Sequence, residues 1–424
     1  MEQKPHHPAD IADELERLTA REAQQELRDL GPEDAAAVLA ELEEESRPAV
    51  LEGMSNSEVA AILSEMPHED AADVLAEIPL SQQAAVLENL PAEDQGPISR
   101  LMTYPPDTAG GIMTDQYLTL RSEQTVECAI QHIRNLGEEY RDQVLYLYVT
   151  EGAGKLVGIV SLHDLVFKRP ERKIADVMRT DVAHVFVDDD QEHVAQLFER
   201  YHYMALPVLE RDHRLVGLVL ASDVVDVLQE EATEDMQRMV GISEEERVLT
   251  PWRLSIRRRL PWLCVNLVTA FLAAAVVGLF EETIAAWTAL AIFLPIVAGQ
   301  GGNAGTQTLT VVIRDMALGH LAPGDGKKAL AKEMTLGMVN GLAIGLIVGI
   351  TSYIWKGSAA LGLVIGAAMI LNMIMAGFAG VAIPFVLKAF RVDPALASSI
   401  FVTTVTDVAG FFFFLGLAAL VVYR

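Results

Sequence analysis

Cysteine is nearly absent. The 424 residues hold only Cys128 and Cys264, so neither a disulfide framework nor a Cys-x-x-Cys metal site is available. The ten histidines show no metal-ligand spacing and read as surface or packing residues. The N-terminus lacks the apolar stretch of a secretory signal, which makes the cytoplasm the default location for the first part of the chain. Positive charge is scarce in that part. Up to Thr250 there are 52 Asp and Glu against 20 Lys and Arg, a net charge of −32. Nucleic acid is excluded as a partner here, because its phosphates would be repelled; cations suit it. From Pro251 onward 7 acids face 12 bases, a net charge of +5 that completes the overall −27. A chain of this length that is 51% hydrophobic is too long for one soluble domain and too apolar in places to be wholly soluble. Two environments are implied.

The first hundred residues carry a short repeat. GPEDAAAVLAEL (31–42) is similar to PHEDAADVLAEI (67–78), with SNSEVAAILSEM (55–66) and LSQQAAVLENL (80–90) between and after. Apolar residues three and four apart make each unit a short amphipathic helix. Pro32 marks one helix start, and Pro67, Pro79 and Pro91 punctuate the others. Such helices cannot bury their faces alone, and stacking into a small superhelix is expected.

A second repeat is longer. LVGIVSLHDL (156–165) matches LVGLVLASDVV (215–225) at an offset of 59. Each reads as a strand followed by a helix start, with Asp164 or Asp223 near the cap. VLYLYV (144–149) and ALPVLE (205–210) read as partner strands, and IMTDQYLTL (112–120) and VMRTDVAHV (177–185) as matching openings. These features resemble a tandem pair of CBS domains. CBS pairs often bind adenosine nucleotides between their halves, so the resemblance adds ATP as a candidate ligand, although no residue here decides the matter.

Beyond residue 260 the character changes. A hydrocarbon core of ~30 Å takes about 20 apolar residues in a helix. Five spans are expected, near 260–280, 286–313, 333–355, 359–388 and 395–423. Ten basic residues fall on one side: Arg253, Arg257, Arg258, Arg259, Arg314, Lys327, Lys328, Lys332, Lys388 and Arg391. Only Lys356 and Arg424 fall on the other. This positive-inside bias places the acidic part in the cytoplasm and the C-terminus outside. The charged, proline-free stretch 228–250 between the two parts is expected to be a helical linker.

Three places carry chemistry. Asp407 lies inside the last span, in FVTTVTDVAGFFFF (401–414). A carboxylate at mid-bilayer costs about 2.5–3.5 kcal/mol on insertion scales, and such residues face a water-filled path or a partner. The bland alternative is an interhelical hydrogen bond; Thr403, Thr404 and Thr406 favour the path. One acid is too few to strip the waters from Mg²⁺, but two Asp407 residues on a dimer axis suffice to hold the hydrated ion. Next, LPIVAGQGGNAGTQTLT (294–310) interrupts the second span with four glycines, an Asn and two Gln. Irregular backbone at this depth is tolerated where it is buried or lines a polar cavity; close packing through small residues is the alternative. Asn303 and Gln307 lie four apart, on one helical face. The third place is the acid cluster Asp223, Asp226, Glu230, Glu231, Glu234 and Asp235. Like charges at these spacings repel by about 0.2–0.5 kcal/mol per pair, a sign that a divalent cation would reverse; a solvated helix face is the alternative.

The whole chain resembles the MgtE family of Mg²⁺ channels and transporters, on YPPDTAGGIMT (104–114), EEATED (230–235), LPIVAGQGGNAGTQ (294–307) and TTVTD (403–407). The resemblance implies a multi-domain homodimer. An all-α superhelical N domain (1–110) would precede an α/β tandem CBS pair (111–228), a connecting, plug-like helix (229–252) and an all-α transmembrane domain of five helices (253–424) in the cell inner membrane. It also implies that Asp407 is the pore ligand. Asp223, Asp226, Glu231, Glu234, Asp235 and Asp393 would take part in cytoplasmic Mg²⁺ sites, with Asp107 as the N-domain candidate. Mg²⁺ would be both cargo and regulator. The rivals are a transporter of other divalent cations such as Co²⁺ and a CBS-regulated anion channel, the latter disfavoured by Asp407 and the acidic approach. A pure sensor without transport is disfavoured by the glycine-rich span, and an enzyme by the lack of a Ser–His pair or His/Asp cluster in any span.

Overall fold

Proline sets the rhythm of the first hundred residues. The computed structural model describes residues 7–43, 46–135, 146–243, 246, 248, 250–321, 324–396 and 398–423. It divides into two units, Met1–Leu228 and Gln229–Arg424. The first begins with α1 (Pro8–Leu15), α2 (Ala20–Leu30), α3 (Pro32–Glu41), α4 (Arg47–Leu51), α5 (Asn56–Leu63), α6 (His68–Glu77), α7 (Leu80–Asn89) and α8 (Ala92–Leu101). Pro67, Pro79 and Pro91 stand at the N-caps of α6, α7 and α8, and Pro32 opens α3. There the missing N–H costs nothing. Ser55 and Glu58 close a capping box on α5. Alternate helices stack in two rows, α1–α3–α5–α7 and α2–α4–α6–α8. The repeat buries the same positions twice: Ala35, Ala36, Val38 and Leu39 in α3, and Ala71, Ala72, Val74 and Leu75 in α6.

Two three-stranded sheets follow. The first has the order β1 (Thr119–Leu120), β2 (Tyr146–Glu151), β3 (Lys155–Ser161). The second has the order β4 (Val185–Phe186), β5 (Ala205–Leu209), β6 (Leu215–Leu220). Each pairs its first two strands parallel and its last two antiparallel. The 59-residue offset is kept in detail, since the ladder slips at Val149/Thr150 in one sheet and at Val208/Leu209 in the other. α9 (Val126–Arg134), α10 (Leu162–Phe167) and α11 (Gln191–Tyr201) pack around them. The expected strand 144–149 is seen from Tyr146, its first two residues lying outside the described residues.

The opening segments are exchanged between the halves. Thr114, from the first opening, bridges Leu218 of β6, and Arg179, from the second, bridges Ile159 of β3. Gly158 and Gly217 make the crossing possible. A Cβ on Gly158 would lie 2.7 Å from Met178 Sδ, and one on Gly217 2.5 Å from Met113 Sδ. The openings are strand only at Thr119–Leu120 and Val185–Phe186.

α12 (Ala221–Met239) leaves β6 directly. The expected linker helix therefore begins within the second repeat, and it stops at Met239, well short of residue 252. Just beyond its end, Gly241 adopts a positive φ of 73° and packs against Trp262, 2.9 Å from where a Cβ would sit. That conformation and that space exclude a side chain.

The second unit then holds α13 (Trp252–Leu279), α14 (Glu281–Ala286), α15 (Leu290–Ala317), α16 (Gly326–Lys356), α17 (Ala359–Ala389) and α18 (Ser398–Val422). Among the described residues four helices, α13, α16, α17 and α18, are long and apolar enough to cross a membrane. The span expected at 286–313 corresponds to α15, a helix of 28 residues whose Gly, Asn and Gln content lowers its apolarity. α13 starts at Trp252, eight residues before the expected span, because the arginine-rich turn is already helical. α16 and α17 meet through glycines spaced four apart, Gly337, Gly341, Gly345 and Gly349, the small-residue mode of membrane helix packing.

Leu39 and Leu75 are both fully buried at equivalent repeat positions. Leu39→Ala and Leu75→Ala should each destabilise the first unit by about 2–5 kcal/mol, read as matched shifts in a denaturant midpoint. A shift in only one would show that the two repeat units are not equivalent in packing.

Candidate ion pathway and acidic clusters

α18 places Asp407 half-buried within an otherwise apolar helix. Its carboxylate makes no hydrogen bond or ion pair with the described residues. The neighbouring hydroxyls are turned to their own backbone. Thr403 Oγ1 donates to Ser399 O (2.9 Å), Thr404 Oγ1 to Ile400 O (2.6 Å) and Thr406 Oγ1 to Thr403 O (3.0 Å). Each donor is thereby satisfied, and the oxygen lone pairs remain as acceptors. α15 meets α18 through glycine. A Cβ on Gly305 would lie 2.5 Å from Val402 Cγ1, and one on Gly302 3.6 Å from Thr403 Cγ2. Asn303 and Gln307 are exposed on another face of α15. Two polar groups of this unit escaped the sequence reading. Glu333 of α16 and Asn372 of α17 are buried, although each stands out in its apolar run.

The acids of α12 fall in both units. In the second, Arg238 Nη1 lies 2.8 Å from Asp393 Oδ2, and Arg238 also pairs with Glu234. Asp393 in turn accepts from the N–H of Ala395 (2.8 Å). Asp235 meets like charge instead: burial first, then Asp393 and Glu231, push its carboxyl up to about 6. The structure therefore brings Asp393 to Glu231, Glu234 and Asp235 as one group. Arg238, their counter-charge, was not singled out in the sequence; its position one helical turn after Glu234 was the available signal.

In the first unit Asp223 accepts from the Leu220 N–H (3.3 Å) and the Ser222 hydroxyl (2.8 Å). Burial, opposed by these bonds and reinforced by Asp226, raises it above the usual carboxylate range. Asp70 of α6 is raised likewise, by burial and then by Asp223 and Glu41 against the pull of Arg47. Beside it, burial pushes Glu69 up to about 7 against the pull of a Thr114 hydrogen bond, and its Oε2 is buried without a hydrogen-bond partner among the described residues. His68 completes the group. Its Nδ1 donates to Asp115 Oδ1 at 2.8 Å, and its Nε2 lies 3.5 Å from Asp94 Oδ1. The Asp115 hydrogen bond leads the causes that raise the imidazole above its ordinary value, while burial opposes them. Glu69, Asp70, Asp94 and Asp115 were not read from the sequence. The Glu-Asp pair at 69–70, repeated at 33–34, was the visible signal. Asp107 is exposed, and its backbone carbonyl accepts from the Gln191 N–H (3.0 Å). None of the contacts found for it among the described residues involves an acid of α12.

Among the described residues no three His, Cys, Asp or Glu converge closely enough to hold a metal ion directly. The pairs that do form suit an ion that keeps its waters, since Mg²⁺ needs only one or two carboxylates with several waters.

A family model described as "MgtE: Divalent cation transporter" matches residues 294–417, one for the MgtE intracellular N domain matches 6–107, and the CBS domain matches twice, at 109–171 and 174–230. The chain is 34% identical over 321 residues to the magnesium transporter MgtE of Bacillus subtilis, covering 76% of this chain and 71% of that one. It is 34% identical over 329 residues to the magnesium transporter MgtE of Thermus thermophilus, covering 76% and 72%. Among solved structures, the cytosolic domain of the Mg²⁺ channel MgtE in complex with ATP aligns with 53% of this chain and 91% of its own, at 30% identity and a TM-score of 0.49.

Glu69 and His68 give the first unit a pH dependence of one sign. A carboxyl raised from 4.5 to about 7 favours the folded state below its unfolded pKa and loses that advantage as pH rises through 7. A raised histidine behaves the same way, its contribution being present in acid and lost as pH rises through its folded pKa. Without divalent cations, stability should fall between pH 5 and pH 8. Glu69→Gln should recover on the order of 2–3 kcal/mol at pH 8 and leave pH 5 little changed. Denaturant titrations at both pH values check this, and an equal loss of stability from pH 5 to pH 8 in wild type and variant would refute it.

Proposed function

The chain belongs to the MgtE family of magnesium transporters, and from that premise we propose that it is a homodimeric, Mg²⁺-selective channel of the cell inner membrane, closed by cytoplasmic Mg²⁺. The observation that carries the reading is Asp407, without a partner among the described residues in an apolar helix, beside a glycine-notched helix that exposes Asn303 and Gln307. In this reading α15 is the fifth span. Its polar content, too high for a lipid-facing helix, belongs to a wall of the pore. Two Asp407 side chains on the dimer axis hold a hydrated Mg²⁺ through its waters. The carboxamides and the Thr403 and Thr404 oxygens accept from the same hydration shell. The membrane potential drives the ion inward, at about 2.3 kcal/mol per charge per 100 mV. The ten-to-two bias of basic residues supports a cytoplasmic N-terminus and an extracytoplasmic C-terminus; the end residues Met1 and Arg424 lie outside the described residues.

The sensor consists of the acids that the fold holds close together. Asp235 with Glu231 and Asp393, and Asp223 with Asp226 and Asp70, are groups whose mutual repulsion a divalent cation relieves. Asp107 is kept as a peripheral candidate. When cytoplasmic Mg²⁺ is high, bound ions favour the closed state; when it falls, repulsion favours the open one. The CBS pair has a cleft lined by Tyr146, Leu162, His163, Val166, Phe167 and Met204, whose apolar wall suits an adenine ring, so ATP is retained as its ligand.

Two measurements test this. Asp407→Ala and Asp407→Asn should each abolish Mg²⁺ uptake into proteoliposomes while the dimer still forms; uptake at the wild-type rate would remove Asp407 from the pathway. Neutralising Asp223, Asp226, Glu231, Glu234 and Asp235 together should raise the cytoplasmic Mg²⁺ that half-closes the channel by at least about tenfold, in graded steps as sites are removed. Patch-clamp recording with Mg²⁺ varied on the cytoplasmic face gives the readout. An unshifted closing concentration would make these acids a solvated face.

A further inference from the structure

α15 has two faces. Asn303 and Gln307 lie on the exposed one. Val297, Gly301, Gly305 and Thr308 lie on the buried one, against α17 and α18. Between Val297 and Thr308 that buried face is glycine alone, the large buried side chains such as Phe293 and Leu309 lying outside this stretch. Within it no knob of α15 itself fixes which side chains face outward.

Two buried polar contacts do so, one near each end of the glycine stretch. Asn372 of α17 is fully buried, and its Nδ2 donates to Val297 O at 2.9 Å. The carboxamide fills a slot between two glycines. A Cβ on Gly301 of α15 would lie 2.3 Å from Asn372 Nδ2, and one on Gly410 of α18 would lie 2.6 Å from it. Its Oδ1 is buried without a hydrogen-bond partner among the described residues. An orphaned oxygen in an apolar interior is costly, whereas leucine or methionine, like the flanking Leu371 and Met373, would carry no such cost. The amide is therefore at odds with packing alone, and its N–H bond to the back of α15 is what it supplies.

The second contact joins Thr308 to α16. Thr308 Oγ1 donates to Glu333 Oε2 at 3.1 Å, in a buried pair, and Lys332 Nζ lies 3.1 Å from the other carboxylate oxygen. Glu333 is 8% exposed. Gly377 and Gly380 of α17 make the room. A Cβ on Gly377 would lie 2.5 Å from Glu333 O, and one on Gly380 2.8 Å from Thr308 Cβ. Val297 and Thr308 are eleven residues apart, about 16 Å along the helix, and Asn303 and Gln307 lie between them.

We propose that Asn372 and the Thr308–Glu333 pair are positioning residues for ion selection, pinning the back of α15 at two heights so that Asn303 and Gln307 keep their orientation. This rests on the reading of α15 as a pore wall. A slip of one residue turns the helix by about 100° and would bring Gly302 and Thr306, or Ala304 and Thr308, to the front in place of the carboxamides.

The experiment uses the full-length protein in liposomes with Cys128 and Cys264 replaced by serine. Single cysteines are placed at positions 302, 303, 306 and 307, and their rates of reaction with a small charged thiol reagent are compared. Thr308→Val, which keeps shape and loses the donor, and Asn372→Leu should lower reactivity at 303 and 307 and raise it at 302 and 306. In the same two variants without the probe cysteines, half-saturating Mg²⁺ should rise about tenfold, with the maximal rate changed much less. Glu333→Leu should act like Thr308→Val, with no further effect when the two are combined, whereas Glu333→Gln, which keeps an acceptor, should stay close to wild type. An unchanged reactivity pattern in variants that remain dimeric and as heat-stable as wild type would overturn the proposal, as would an equal effect of Glu333→Gln and Glu333→Leu. Asn303→Ala and Gln307→Ala separate the two readings. If both leave uptake intact, the pore assignment fails, while the reactivity pattern still decides whether the pins orient the helix.

Discussion

Taking a carboxylate away from water costs more than most single contacts return, and this protein does it repeatedly without supplying a full complement of bases. Charged groups lose hydration when buried, and only a close opposite charge or several hydrogen bonds restore the balance. Some acids receive that compensation: Asp393 and Glu234 share Arg238, and Glu246 lies against Arg259 at 2.6 Å. For others it falls short. Glu69, Asp70, Asp223 and Asp235 are displaced upward, by burial first and then by neighbouring acids, despite the hydrogen bonds of Glu69 and Asp223 and the pull of Arg47 on Asp70, and Asp407 is half-buried with no partner among the described residues. In the proposed function, these acids are the places where a divalent cation would relieve the most repulsion, and pathway and sensor would draw on the same imbalance.

The same constraint explains the rest of the second unit. The Gly, Asn and Gln content of α15 leaves it less apolar than α13, α16, α17 and α18. It meets its neighbours closely through Gly301 and Gly305, and Asn372 and Glu333 reach it with buried polar contacts. α13, by contrast, is exposed along most of its length and needs no such arrangement.

Periodicity and composition were enough for the two repeats and for the change to apolar helices, because each is a local pattern, and they single out Asp407, Asn303 and Gln307 as candidates for the same reason. What they missed was made by long-range pairing. Arg238 meets Asp393 across 155 residues, and His68 meets Asp115 across 47; nothing in either local stretch announces the other. Asp70 reads as one more acid of a repeat until α12 brings Asp223 to it. Asp107 lies in a motif whose visible structural role is a tight turn, where a Cβ on Gly111 would lie 2.4 Å from Pro105 O. The linker helix was misplaced at both ends for a related reason: helix-prone composition gives no sign that a glycine packed on Trp262 will stop it.

The exchange of opening segments between the two sheets has a consequence for how the chain is made. Thr114 finds its partner in Leu218, 104 residues later. At ribosomal speeds of roughly 5–20 residues per second, the first opening segment waits about 5–20 s for its partner strand. During that time the edge of β3 at Ile159 is open to other strands until Arg179 emerges to cover it. The N-terminal helices, whose contacts are local, are complete before this interval begins. They are thus available as the first folded surface on which a slow, interlocked pair of sheets can assemble.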